Sequence, residues 1–237
     1  MHHVVIERWS RGTGPLHSRD ARVKLLVTLG YLIALATMPR LTAAAVALYG
    51  VAAGLGIALG RLPVGALLAR AAVVLPFSAT FAIFSMAAGD ASRAGSLLVK
   101  SYLSAAAVLV LVGTTPLPKL LRGMESLGVP RMLTLVVQFL FRYLFVISGQ
   151  AQHMRLAALC RGSGASGIRF RAAAGAVAVL FARSFGRAEG IHQAMMARGF
   201  NGETQLLSTA RIDAFDVLLL IAGLAAALAL RVFPGAL

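Results

Sequence analysis

Cysteine occurs once in this 237-residue chain, at Cys160, which excludes an internal disulfide and any multi-cysteine metal site. Acidic residues are nearly as scarce, with 8 Asp and Glu against 23 Lys and Arg. Charged residues of both signs make up 13% of the chain, about half of what a soluble domain carries. Several chemistries also lack their signatures. Without a Gly-rich Walker loop the chain cannot hold ATP in the P-loop manner by itself. Neither His-Glu-x-x-His nor Gly-x-Ser-x-Gly occurs, and there is no cluster of intramembrane carboxylates. His17, His153 and His192 share no spacing that suits a metal, so no metal site is expected. No aromatic-interleaved basic platform is present, so nucleic acid is not an expected partner. The polar start, Met1-His2-His3-Val4, lacks the apolar core and small-residue cleavage site of a secretory signal.

What fills the chain instead is apolar. It is 59% hydrophobic with a mean hydropathy of +0.82. Several segments approach the ~17–25 apolar residues of a bilayer-spanning helix. The expected fold is therefore all-α and polytopic. In such a protein the net charge of +15 signals arginine gathered on the cytoplasmic side. The basic residues of 1–24 place the N-terminus there. Successive spans are expected over Leu25–Pro39, Leu41–Gly60, Ala71–Gly89, Leu97–Thr115 and Ala214–Leu230, about five transmembrane helices in all. Arg70 is expected to open the third of them, and Lys100 to lie near the outer end of the fourth. Thr115-Pro116-Leu117-Pro118 breaks the chain, because proline lacks the N–H and restricts its predecessor.

Between Lys119 and Arg211 the sequence changes character, with one Lys and eleven Arg against Glu125, Glu189 and Glu203. Three parts follow: 1–118, an N-terminal segment with four spans; 119–212, a cytoplasmic or interfacial module; and 213–237, a last span. Residues Met132–Ile147 are apolar enough to resemble a span. Arg142 near their centre would cost ~2.5–3.5 kcal/mol inside a bilayer. The expectation is an interfacial or protein-covered helix.

Two long helices are predicted in this module, Arg131–Cys160 and Ala172–Arg198. Each runs into an arginine and a glycine: Cys160-Arg161-Gly162 and Ala197-Arg198-Gly199. Glycine just past a helix end supplies the left-handed turn, and arginine there complements the negative end of the helix dipole. Ala174, Ala178, Ala182, Gly186, Gly190 and Ala194 form an i+4 row leading to Arg198. Gly149, His153 and Ala157 form a shorter row leading to Arg161. Rows of small residues let helices cross steeply at close approach, so Ala178, Ala182, Gly186, Gly190 and Ala194, with Gly149 and Ala157, are the expected crossing pivot. The crossed pair would present both arginine tips to one acidic partner. Arg183 and Arg187, like charges at i,i+4, suit lipid phosphates or an acidic surface. Cys160 reads as a small buried residue. Asp213 and Asp216 read as capping or interfacially solvated.

Three stretches then carry a family resemblance: Leu16-His17-Ser18-Arg19-Asp20-Ala21-Arg22-Val23-Lys24-Leu25, Arg142-Tyr143 through Arg161-Gly162, and Phe181-Ala182-Arg183-Ser184 through Arg198-Gly199-Phe200. The chain resembles the membrane T component of energy-coupling factor transporters, of the cobalt/nickel (CbiQ-like) type. The family tripeptide Ala-Arg-Gly is matched at Ala197-Arg198-Gly199, and Cys160 replaces its alanine at the other copy. Ala21 stands where the family usually has proline. The resemblance implies a non-catalytic scaffold in the membrane of a bacterial cell. Its partners would be two cytoplasmic ABC-type ATPases, which hold the ATP and Mg, a substrate-binding membrane S component, and lipids. Arg161, Gly162, Ala197, Arg198 and Gly199 would contact the ATPases. Vitamin cargo, a membrane-embedded lipid-modifying enzyme and a stand-alone secondary transporter are the other readings that the residues leave open.

Overall fold

Prolines and capping side chains set where the helices begin. α1 (Ala21–Thr37) opens at Asp20, whose carboxylate accepts the Arg22 N–H at 3.0 Å. α2 (Ala43–Leu59) opens at Thr42, whose hydroxyl accepts the Ala45 N–H at 3.3 Å. α3 (Val64–Ala71) passes through a 3₁₀ turn, Ala72–Val74, into α4 (Leu75–Ala87). Pro76 explains that turn: it lacks an N–H and its ring crowds the carbonyl four residues back, at Ala72. α5 spans Ala91–Thr114. α6 (Leu117–Ser126) and α7 (Arg131–Cys160) each start directly after a proline, Pro116 and Pro130. α8 spans Ser166–Ala197. The structure is a computed structural model and describes residues 9–10, 12, 14–38, 42–161, 166–202, 216–217, 221–223 and 225, apart from the side chains at 43, 166–169, 171 and 172. Gly162, Asp213 and most of the expected last span lie outside the described residues.

Every described element is helical, and the chain is a polytopic membrane protein. Val64–Ala87, Ala91–Thr114 and Arg131–Cys160 are each long and apolar enough to cross a bilayer, and Ala44–Leu59 is apolar but shorter. The third span thus begins at Val64, ahead of the expected Ala71, and Arg70 lies inside it rather than opening it. Residues 132–147 form the first half of α7, which by length and composition can itself cross. Met132, Leu133, Val136 and Leu140 on it are exposed, so whatever covers them lies outside its own unit.

The chain divides into two compact units, Met1–Leu127 with Ala210–Leu237, and Gly128–Thr209. α6, which the sequence groups with the basic module, belongs to the first unit, where it packs on the start of α1. A Cβ at Gly123 would stand 3.3 Å from the Ala21 methyl.

In the first unit α5 is the hub, packed against α1, α2, α3 and α4. One core cluster joins Tyr31 and Leu35 of α1, Tyr49 of α2 and Leu103 of α5. Tyr31 donates to the Tyr49 carbonyl at 3.1 Å, and the two rings meet edge to face. Away from the core the helices are greasy on the outside: Phe77 and Phe84 of α4 are 70% and 74% exposed. Lipid-facing surface has this composition, so helix association here rests on close packing and hydrogen bonds rather than on escape from water. Lys100, expected near the outer end of its span, sends its ammonium to the Met38 carbonyl at the end of α1.

α2 ends in a Schellman motif. Leu62 N–H bonds the Ile57 carbonyl at 3.2 Å and Arg61 N–H bonds Ala58 at 3.0 Å, with Leu62 and Ile57 buried in one cluster. The left-handed residue is Arg61 (φ +47), not Gly60. Gly60 is needed for another reason: a Cβ there would come 2.9 Å from Thr114 Cγ2. Arg61→Gly is expected to stabilise the unit by ~1 kcal/mol by removing left-handed strain. Gly60→Val is expected to destabilise it by ~2 kcal/mol through overpacking. Thermal unfolding in mild detergent measures both.

Candidate functional site

The two predicted arginines occupy the same structural position. α7 ends at Cys160 and Arg161 is its C-cap, with its N–H on the Ala157 carbonyl at 3.2 Å. α8 ends at Ala197. Beyond it Phe200 N–H bonds Met195 at 3.0 Å and Gly199 N–H bonds Met196 at 3.0 Å, a second Schellman motif. Gly199 is the left-handed residue (φ +77), which makes Arg198 the C-cap. The tripeptide Ala-Arg-Gly is therefore a capping unit: the last helical residue, the cap, and the residue that must turn left. It fixes where the arginine leaves the helix. Because backbone N–H groups take the end carbonyls, the guanidinium need not. Arg161 and Arg198 are both exposed, and neither has an ion pair among the described residues.

Other expectations for this module change. Cys160 is exposed rather than buried. The small row does not lie against α7: Ala174, Ala178, Ala182, Gly186, Gly190 and Ala194 are all exposed. A Cβ at Gly149, Gly186 or Gly190 would meet nothing within 4 Å. Ala157, in the partial row on α7, is exposed as well. The half-buried positions of α8 are Ala176, Leu180, Ser184, Ile191 and Met195. Ala176, Leu180 and Ser184 each lie two residues on from a member of the small row, about 200° around the helix. Packing of α7 with α8 thus leaves the small row facing outward. Nor do the arginine tips converge. They flank the two ends of α8, whose 32 residues span about 48 Å. The five peptide steps from Arg161 to Ser166 reach at most ~18 Å, so the Cα atoms of the two arginines stand on the order of 30 Å apart or more. One small acidic site cannot engage both.

Sequence reasoning missed a second assembly, in the first unit, built from the family-like stretch around Leu16–Leu25. Residues 14–18 turn so that His17, 9% exposed, donates through Nε2 to the Trp9 carbonyl at 2.9 Å. The Trp9 ring lies 4.2 Å under the Arg70 guanidinium. Gly12 and Gly14 allow this closeness, since Cβ atoms there would stand 2.9 Å from His17 Nε2 and 3.0 Å from the Gly60 carbonyl oxygen. Arg19 faces Asp216 at 4.0 Å, and Asp216 is 4% exposed. The Asp216 carboxylate is buried against a half-buried arginine rather than solvated at an interface. Lys24, buried, donates to the Thr114 carbonyl at 3.2 Å and to Thr115 Oγ1 at 3.0 Å. The start of α1 is thereby tied to the end of α5. The clue in the sequence was a lysine directly before an apolar run; its partner ninety residues away was not legible.

A helical multi-pass membrane protein with an exposed arginine at the end of each of two long helices has the form of a membrane transporter component. Residues 12–207 match the CbiQ family, described as "Cobalt transport protein". The chain belongs to this family. A relative, the cobalt transport protein CbiQ of Rhodobacter capsulatus, is 32% identical over 100 residues, which cover 42% of this chain and 41% of that protein.

Lys24 precedes the apolar stretch that begins at Leu25. Burial, with repulsion from Lys119, pushes its ammonium down to about 8 against the opposing pull of Asp20 and Asp216. Between that value and the ordinary 10.5 the unfolded chain binds more protons, so folding stability rises with pH in this window and is flat in this respect below it. Urea unfolding in detergent should show that rise in the wild type and not in Lys24→Met. Identical slopes would contradict it.

Proposed function

We propose that this chain is the T component of an energy-coupling factor importer for cobalt. In this reading it is a scaffold without catalytic chemistry of its own. Two cytoplasmic ATPases hold ATP and Mg²⁺, and a separate membrane S component captures the ion. The observation that carries the proposal is the pair of exposed C-cap arginines, Arg161 at the end of α7 and Arg198 at the end of α8. A separation on the order of 30 Å or more suits two docking sites on two subunits, one arginine to each. Each guanidinium offers planar, charge-assisted hydrogen bonds to a carboxylate or to carbonyl oxygens. Closure of the ATPases would then move the capped end of α7 relative to that of α8, and the two helices would pass that motion to the S component. Cobalt as cargo follows the family description and the Rhodobacter relative. The basic module and the N-terminus lie on the cytoplasmic face of the bacterial inner membrane under the positive-inside rule.

The small-residue row Ala178, Ala182, Gly186, Gly190 and Ala194 belongs, in this proposal, to a contact made during the transport cycle. Gly149 and Ala157 join it when α7 and α8 shift. Substitution at an exposed helical glycine stabilises the helix by ~0.5–1 kcal/mol, so Gly186→Leu and Gly190→Leu are expected to fold normally. Cobalt uptake is nevertheless expected to fall several-fold in both. Wild-type uptake would remove the row from the mechanism.

The direct test is charge reversal. Arg161→Glu and Arg198→Glu singly should each weaken ATPase copurification by tens of fold, from the loss of ~2 kcal/mol of charged hydrogen bonding. Together they should abolish it, along with uptake, while the membrane unit stays folded. Full copurification and full uptake in the double variant would refute the proposal.

A further inference from the structure

The first unit contains a cavity of about 360 Å³ between α1, α2, α5 and the helical residues 222–223. Its size falls within the ~300–1,000 Å³ of small-molecule sites. It runs along α1 from Lys24 to Tyr31, along α2 from Ala52 to Leu59, and along α5 from Ala107 to Thr114. Each is two helical turns, about 10 Å. Gly223 closes one side so tightly that a Cβ there would stand 2.7 Å from the Val27 methyls.

The lining is chemically one-sided. Among the described residues most of it is aliphatic, and the polar side chains are Lys24, Thr28, Tyr31 and Thr114. Tyr31 and Thr114 already donate their hydroxyls to backbone carbonyls, of Tyr49 and Val110. Lys24 uses two of its three N–H donors, on Thr114 and Thr115. Of the nearby carboxylates, Asp20 caps α1 through Oδ1 and Asp216 faces Arg19, and both attract the Lys24 ammonium. Among the described residues the lining offers one charge, the Lys24 ammonium, which attracts anions and repels metal cations. Leu55 and Leu59 line the cavity and are also 61% and 42% exposed, so its wall reaches the outward, apolar side of α2. In a membrane that side meets hydrocarbon.

We infer that the cavity holds one acyl chain of an anionic membrane lipid, with the lipid's head-group oxygens on the Lys24 ammonium. A chain entering beside Leu55 and Leu59 buries its methylenes against α1 and α5. The charged end completes the donor set of a lysine that already holds α1 to α5. The lipid then serves as a wedge that keeps the start of α1, α2 and the end of α5 at fixed spacing.

The full chain, reconstituted in nanodiscs without ATPases, is to be labelled with phosphatidylglycerol carrying a photoactivatable acyl chain. Phosphatidylcholine and free fatty acid analogues are run in parallel. Peptide mass spectrometry is expected to place saturable phosphatidylglycerol adducts, one per chain, on residues 24–31, 52–59 and 107–114. Gly56→Leu fills the cavity without a backbone clash, since its Cβ would stand 3.4 Å from a Val110 methyl. It should lower those adducts at least about tenfold, as should Ala107→Leu if the first variant folds poorly. Lys24→Met should erase an approximately tenfold preference for the anionic lipid over phosphatidylcholine, the size of one hydrogen bond to a charge. Adducts spread over all outward faces and unchanged in both filling variants would overturn the inference. Labelling of these residues by the fatty acid but not by phosphatidylglycerol would overturn it too. No outcome depends on cobalt uptake, so failure here leaves the coupling proposal standing, and the reverse holds.

Discussion

The unpaired main-chain groups at the ends of a helix are the constraint from which most of this structure follows. In a chain with so little water around it, each such group needs a partner supplied by the protein. Two solutions recur. In one, a lysine crosses to another helix: Lys24 takes the Thr114 carbonyl, and Lys100 takes that of Met38. In the other, the chain turns left and its own N–H groups close the last turn, at Arg61-Leu62 and at Gly199-Phe200. The first solution consumes a cation and ties helices together. The second leaves the neighbouring cation free. Which solution a helix uses therefore decides whether its basic residue is structural or available to a partner.

The order of two residues separates the cases. Gly60-Arg61 ends α2 with the glycine at the cap, where Thr114 allows no side chain, and the arginine in the left-handed turn. Arg198-Gly199 ends α8 with these roles exchanged. Only the second order lets the arginine project from an unstrained cap. A short peptide pattern that reads as an interaction motif is thus also a statement about backbone geometry.

The class of fold was legible because length and hydropathy carry it: long apolar stretches bounded by arginine and proline leave few alternatives. Arg131 and Cys160 bound α7 as the sequence indicates, and the glycine after Arg198 turns left as its chemistry requires. What the sequence concealed depended on rotation and on distance along the chain. The alanine and glycine row promised a helix contact, yet α8 packs through Leu180 and Ile191 on another face. A periodic row marks a surface without saying which neighbour will use it. Asp216 and Lys24 were hidden for a different reason. Their partners, Arg19 and Thr114, are remote in sequence, and burial of a charge is a property of the assembled unit. The separation of the two arginines follows from the length of α8, to which a row of small residues along one face is indifferent.

The chain has one indole and one thiol, and they fall in different units: Trp9 is held beneath Arg70 in the first, and Cys160 is exposed next to Arg161 in the second. Neither would have to be introduced or removed by mutagenesis. A dye attached to the sulfur and excited by transfer from the tryptophan would therefore report, in the unaltered polypeptide, whether the spacing of the two units changes when ATPases or cobalt are added.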